Sequence, residues 1–274
     1  MPVPRGMNTT RTLLLASLAI GRLAAADPAW QKSLSPPEPG SFSPIPSSVL
    51  ELQVSWKGLL NAGKLRMEFA PKNADKPGFY VIRSYAKSLG LASELFPFES
   101  NAWAELDPAS LKPRFFHAVE TDRRETVTTT NHLFPDRVDC HEATHRLDKK
   151  PDSTRDLTFR FSPVFDIFSA MLNIRSRKLS NGDRITLVIH PFNNPYLLQV
   201  NVLGREKHLD RNAIRLSVGM RKIEPKTLEL KAYKKMKREA TLWLSDDADR
   251  IPLEFRAAIF IGDVRATMTG FHKN

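Results

Sequence analysis

The sequence predicts a mainly β fold. The expected architecture is one large, curved antiparallel sheet, a half-barrel or barrel-like sandwich, with one helix packed on its concave face. Three observations carry this. Apolar residues recur with period two in many short runs, clusters of turn residues separate those runs, and one segment alone combines helix start signals with helical periodicity.

The first run sets the pattern. Leu50, Leu52, Val54 and Trp56 alternate with Glu51, Gln53, Ser55 and Lys57. Leu65, Met67 and Phe69 alternate with Lys64, Arg66 and Glu68, and Leu59 to Gly63 suits the turn between them. This pair reads as a hairpin with one buried face. Tyr80 to Ala86 continues the alternation after the turn pair Pro77-Gly78. Further strands are expected at 98–106, 114–120, 124–132 and 155–161, the last on Leu157, Phe159 and Phe161.

The helix is expected over 163–176. Ser162 is placed as an N-cap, Pro163 takes the first helical position and Asp166 lies in the first turn. Val164, Ile167, Phe168, Met171 and Leu172 share one face, and Asn181-Gly182-Asp183 stops the element. Strands resume at 184–190, 196–203, 213–221, 239–245, 251–260 and 262–271. No fixed-period repeat appears.

The ends organise the rest. Arg5 and Arg11, the apolar stretch Leu13 to Ile20 and the small residues Ala24-Ala25-Ala26 form a secretory signal over 1–26, cut near Ala26. No cysteine follows that stretch, so the chain is not expected to be a lipoprotein, and no apolar run is long enough to span a bilayer. An exported, periplasmic protein is expected. Residues 27–48, rich in Pro and Ser, read as a disordered lead-in, and 49–274 as one antiparallel β domain. The chain carries +11; losing Arg5, Arg11 and Arg22 with the signal leaves +8. A basic exported protein suits anionic partners, and no nucleic-acid motif is present.

Motif searches nominate little chemistry. Cys140, His141 and His145, with Glu142 or His132 nearby, are metal-ligand types in one short segment, but too few at zinc spacings, so they read as polar loop residues. Asp246, Asp247 and Asp249 read as turn chemistry between two strands, because Asp side chains bond nearby backbone. No nucleophile elbow and no phosphate-cradling glycine loop occurs, so no catalytic residue, metal or cofactor is assigned. Lys231, Lys234, Lys235, Lys237 and Arg238 form a basic run that suits an edge strand or an anionic membrane surface. The inward aromatics Trp56, Phe69, Tyr80, Phe159, Phe161, Trp243 and Phe255 fill a core or, where the sheet stays open, line an apolar binding face.

The order of these features resembles the exported bacterial family known as domain of unknown function 3108. The likeness rests on Trp56-Lys57-Gly58 with Ala62-Gly63, then Asp166, Ser169, Ala170 and Arg175, then Gly182-Asp183 and Gly204-x-Glu206. It closes on Leu242-Trp243-Leu244-Ser245-Asp246-Asp247, Arg250-x-Pro252 and Ile261-Gly262, and spans about residues 49–270. Residues 133–155 have no counterpart in it. More distantly, the closing pattern is similar to periplasmic lipoprotein carriers of the LolA and LolB type, which implies a half-open barrel holding acyl chains. The matched positions themselves read as structural: Gly58, Gly63 and Gly204 at turns, Pro252 at a strand entry, Asp166 and Arg175 as polar anchors of the helix.

Three functions follow. The first is non-catalytic binding of an apolar or acyl-bearing envelope component, a lipid or lipoprotein chain. The second is an envelope-assembly module that meets a protein partner. The third is an enzyme on envelope glycans or lipids, which requires groups such as His190, His208 and Asp246 to converge in space.

Overall fold

A computed structural model describes residues 28–72, 76–148, 150–234, 236–259 and 262–274. The expected signal segment lies outside the described residues. The first arm of the sheet comprises β1 (Ser48–Trp56), β2 (Leu60–Phe69), β3 (Tyr80–Ser88), β4 (Phe98–Leu106), β5 (Pro113–Asp122), β6 (Glu125–Leu133), β7 (Val138–Arg146) and β8 (Ser153–Phe159). A short helix, α1 (Leu91–Leu95), joins β3 to β4, and the main helix, α2 (Ile167–Ser176), follows β8. The second arm comprises β9 (Arg184–Ile189), β10 (Tyr196–His208), β11 (Arg211–Ile223), β12 (Leu230–Ala232), β13 (Ala240–Ser245), β14 (Pro252–Ile259) and β15 (Gly262–Lys273).

All strand pairings are antiparallel, and the order across the sheet is β8-β7-β6-β5-β4-β3-β2-β1-β15-β14-β13-β11-β10-β9, with β12 beside β11. The last strand thus joins the two arms by pairing with the first. The sheet is curved and does not close into a barrel; β8 and β9 are its outer strands. The mainly β expectation therefore holds, and the period-two runs lie on strands.

Three local expectations change. The first turn is Lys57 to Leu59, and β2 starts at Leu60 rather than after Gly63, because the register shifts between Val54 and Ser55. The segment read as a polar loop around Cys140 is strand β7, paired on both sides. The helix starts at Ile167, four residues later than expected. Its N-cap is Asp166, whose carboxylate accepts from the N–H groups of Phe168 (2.7 Å) and Ser169 (3.2 Å), which satisfies donors that Ser162 would have had to reach from further back.

The Pro/Ser-rich segment, expected to be disordered, lies packed on the domain from Pro28 onward. Trp30 donates its indole N–H to the Leu228 carbonyl (2.9 Å) and tilts against Phe161. Ser35 exchanges bonds with Thr186 on the outer edge of β9. Asn173 of α2 donates to the Pro37 carbonyl (2.8 Å), and Ile45 is fully buried with its carbonyl bonded by the Tyr80 hydroxyl (2.5 Å). Together with the bridge of Phe165 to Ile189, this strap covers the backbone of β9 that an outer strand would otherwise leave open.

The core has two parts, most of it on the concave side. One gathers Leu50, Phe69, Ile82, Phe116 and Phe159 from the first arm. The other gathers Ile185, Leu198, Val200, Ile214 and Leu216 from the second. The helix joins them, sending Phe168 and Leu172 into the first and Ala170 and Ile174 into the second. Phe168, Leu172 and Ile174 each contribute roughly 1.5–3 kcal/mol by leaving water, and Ala170 less.

Candidate functional site

The concave face divides along the strands. Toward the end that carries the β13–β14 turn, it is filled. Phe69 and Phe159 are fully buried there, and Tyr80 is nearly so, its hydroxyl spent on Ile45. Burial pushes the Tyr80 phenol well above its ordinary pKa. These three predicted binding residues are core. Phe161 is half-buried but stacks on Phe159 beneath Trp30, so the N-terminal strap covers it.

Toward the opposite end the same face carries apolar side chains that are only partly covered. The pairings Trp56 with Val264, Val54 with Ala266, Phe255 with Leu242 and Phe255 with Ala266 set these side chains in one surface across β13, β14, β15 and β1. All six are only partly buried. Leu65 and Met268 continue the surface toward the core. Of the seven aromatics singled out from sequence, Trp56 and Phe255 therefore line an open concave face.

Trp243 does not. Its neighbours Leu242 and Leu244 point to the concave side, so alternation sends the indole to the outer face. There it stacks on His208 (ring centroids 4.3 Å apart, 9° between planes), with the Arg256 guanidinium 4.8 Å over its ring. Its N–H is bonded to Glu206 (2.7 Å), which also accepts from Arg215 (3.1 Å). Glu254 is shared between His208 and Arg256. The matched residues Trp243 and Glu206 are thus one outward polar cluster.

The remaining matched positions act in the frame. Ser169 returns its hydroxyl to the Asp166 carbonyl, and burial raises the Asp166 carboxyl above its ordinary pKa. Arg175 anchors α2 by donating to the carbonyls of Asp249 (2.7 Å) and Ser43 (2.6 Å). Asp247 organises the β13–β14 turn, accepting from the Ser245 hydroxyl and from the N–H groups of Asp249 and Arg250, as the turn reading expects. Asp246 pairs with Arg205 (2.9 Å), and Pro252 opens β14. Gly63 is crowded, since a Cβ there would lie 2.5 Å from the Lys87 carbonyl oxygen. Gly58 sits in the first turn at positive φ, and Gly204 marks the register shift in β10.

No set of three or more metal-ligand side chains comes together among the described residues. In β7, His141 and His145 face outward to Asp156 (2.7 Å) and Asp152 (2.9 Å), while Cys140 points inward; alternation splits the trio between two faces. Burial raises the Cys140 thiol to about 12. His190, His208 and Asp246 do not converge either. His208 pairs with Glu254 on the outer face and Asp246 pairs with Arg205, which lies opposite Ile214, whereas His190 is fully buried beside Asn131 (3.3 Å). Desolvation lowers His190 to about 4. The contact of Asn131 with the carbonyls of His190 and Phe192, 2.9 Å for the latter, draws β6 onto the β9–β10 connection. No sequence motif marks this link, since it joins positions some sixty residues apart.

An open, curved β-barrel-like sheet braced by one buried helix is the class these features define. The chain belongs to the family described as "Protein of unknown function (DUF3108)", which matches residues 51–269. Among solved structures it is similar to the crystal structure of the β-barrel-like protein of domain of unknown function DUF1849 from Brucella abortus, at 9% identity and a TM-score of 0.53, over 84% of this chain and 98% of that one. A protein with a YmcC-like fold from Bacteroides fragilis NCTC 9343 also aligns, at 9% identity and a TM-score of 0.31, over 85% of this chain and all of that one. No curated protein matches. No helix among the described residues is long and apolar enough to cross a membrane.

Proposed function

We propose that the protein is an exported, periplasmic protein that binds an apolar, acyl-bearing component of the cell envelope without catalysis. One observation carries this reading: the concave face at the open end is lined by Val54, Trp56, Leu242, Phe255, Val264 and Ala266, all left partly exposed. A surface of that kind gains free energy by covering itself with hydrocarbon, about 25 cal/mol for each Å² removed from water. Apart from the Trp56 indole N–H, these six side chains carry no polar group, which suits an alkyl chain better than a sugar or a nucleotide. The basic leader followed by an apolar stretch and Ala24-Ala25-Ala26 supports export, and the likeness to LolA- and LolB-type carriers stays one of pattern in the closing strands.

The test is mass spectrometry of organic extracts from the protein purified after expression with its own leader. A stoichiometric lipid, absent from an unrelated exported protein handled alike, supports the reading and identifies the ligand class. A clean extract, repeated after incubation with envelope lipids, rejects it in favour of a protein-interaction module. The free outer edge of β8, exposed along most of its length, is where cross-linking would then begin.

A further inference from the structure

Six of the eleven large apolar side chains that stand exposed among the described residues crowd one end of the sheet. Leu59 and Leu60 lie at the β1–β2 turn, Leu91 and Leu95 on α1, and Phe96 and Phe98 at the entry to β4; each is between 41% and 86% exposed. Of the other five, Leu147 lies beside the β5–β6 turn, its N–H bonded to the Arg124 carbonyl (2.7 Å), and four scatter singly, as is ordinary for a surface. The six form one patch. The N–H of Leu89 bonds to the Ala62 carbonyl (2.9 Å), pinning the β3–α1 connection against β2, and Phe96 meets Trp56 edge-on at 6.5 Å. Nothing in the fold needs these groups in water, and an exposed apolar cluster of this kind marks an interaction surface.

Its rim is basic. Lys57 stands in the β1–β2 turn, and the Arg265 guanidinium lies over Gly58, where a Cβ would meet it at 2.5 Å. Arg123 donates to the Glu94 carbonyl on α1, which brings the β5–β6 turn and Arg124 to the same end. Acids are present too, but four are spent: Glu99 on Lys87 (3.1 Å), Asp263 on Arg238 (3.3 Å), and Glu125 and Asp148 on Arg146. Glu94 and Asp122 remain, against Lys57, Arg123, Arg124 and Arg265, none of which has a carboxylate partner among the described residues.

We infer that this end docks on an anionic lipid surface, with Leu59, Leu60, Leu91 and Leu95 entering the head-group and acyl boundary while the rim cations meet lipid phosphates. Leucines and aromatics flanked by Lys and Arg are the composition that binds in the plane of such an interface. A second copy of the chain is a poorer occupant, because it would set the same cations against this rim. The inference stands apart from the concave ligand, although the patch adjoins that face through Trp56.

The test is vesicle flotation with the full chain, so that whatever the N-terminal segment contributes is common to every variant. Vesicles of phosphatidylcholine with about a third phosphatidylglycerol are compared with phosphatidylcholine alone. Binding at least about tenfold tighter to the anionic vesicles, weakened by salt, is expected. Leu59→Ser with Leu95→Ser should lose about tenfold in affinity with an unchanged unfolding midpoint, since both side chains are already in water. Lys57→Glu with Arg124→Glu should lose a similar factor for anionic vesicles only. Equal binding to both vesicle types, unaltered binding of the leucine variant, or self-association through this end without vesicle binding would each overturn the inference.

Discussion

Arg175 and Arg250 tie the helix end and the β13–β14 turn together from opposite sides. From the last turn of α2, Arg175 donates to the carbonyls of Ala248 and Asp249 in the β13–β14 turn. From that turn, Arg250 donates to the carbonyls of Arg175, Arg177 and Lys178 at the end of the helix. Two cations are thereby buried without a carboxylate between them. Each satisfies carbonyl groups that a helix end or a tight turn leaves open, and Arg250 also adds charge where the helix dipole is negative. Burial lowers both guanidinium pKa values, yet an arginine stays charged.

This exchange predicts strong and coupled losses. Arg250→Ala should cost about 3 kcal/mol, because it leaves several carbonyls unpaired in the interior. Arg175→Ala should cost a similar amount, and the double variant clearly less than the sum, since each single change already frees the helix end from the turn. Urea unfolding of the three variants measures this. Additive losses would mean that the two arginines act independently.

Gly262 touches Trp56. A Cβ on Gly262 would lie 2.6 Å from the indole nitrogen, and the residue sits at φ +118°, where side chains are strained. Gly262→Ala should therefore push Trp56 outward and cost about 1–3 kcal/mol. A shift in tryptophan emission, with the protein still folded by circular dichroism, reports the displacement; Trp56→Phe in the same background should abolish the shift.

Phe255 and Trp243 separate ligand binding from framework. Phe255 is half-buried on the open concave face, and Trp243 stacks on His208 on the other side of the sheet. Phe255→Ser should reduce the lipid recovered from the purified protein severalfold at a stability cost of about 1–2 kcal/mol, below that of a fully buried phenylalanine. Trp243→Leu should leave the lipid in place and cost about 2–4 kcal/mol, through the lost stacking and the lost indole bond to Glu206, which keeps Arg215 alone. Lipid loss in the Trp243 variant with none in the Phe255 variant would move the ligand off the concave face.

Most of the sheet is legible in the sequence, because one face of each strand is buried and period two follows. Strand β7 hides because its inward positions, Cys140, Glu142 and Thr144, are hardly more apolar than the outward His141, Ala143 and His145. The N-terminal strap hides because single long-range bonds hold it, such as Trp30 to Leu228, and those leave no periodic trace. Trp243 was within reach: Leu242 and Leu244 on either side already assign the inner face, and the size of the indole outweighs that signal only if alternation is ignored. The open end of the concave face is not legible, since exposure there depends on where the helix and the strap stop.

Acid should weaken the protein through His190. The side chain is fully buried among Phe159, Asn131 and the β9–β10 backbone, and desolvation lowers its pKa from an ordinary 6.5 to about 4, with the Arg155 charge acting in the same direction. Above pH 6.5 the imidazole is neutral in both folded and unfolded chains and does not affect the balance. As pH falls from 6.5 to 4, the unfolded chain takes up a proton that the folded chain refuses, so stability drops over that window and levels off below it. The full loss is roughly 3 kcal/mol for a shift of this size. Carboxylates also titrate near the lower end, so the comparison is made between the wild type and His190→Gln, which keeps a polar group beside Asn131 but cannot titrate. Urea unfolding at pH 7, 5.5 and 4.5 should show the difference between the two proteins narrowing as the solution is acidified. A constant difference across the three pH values would show that His190 is protonated as readily in the folded chain as in the unfolded one.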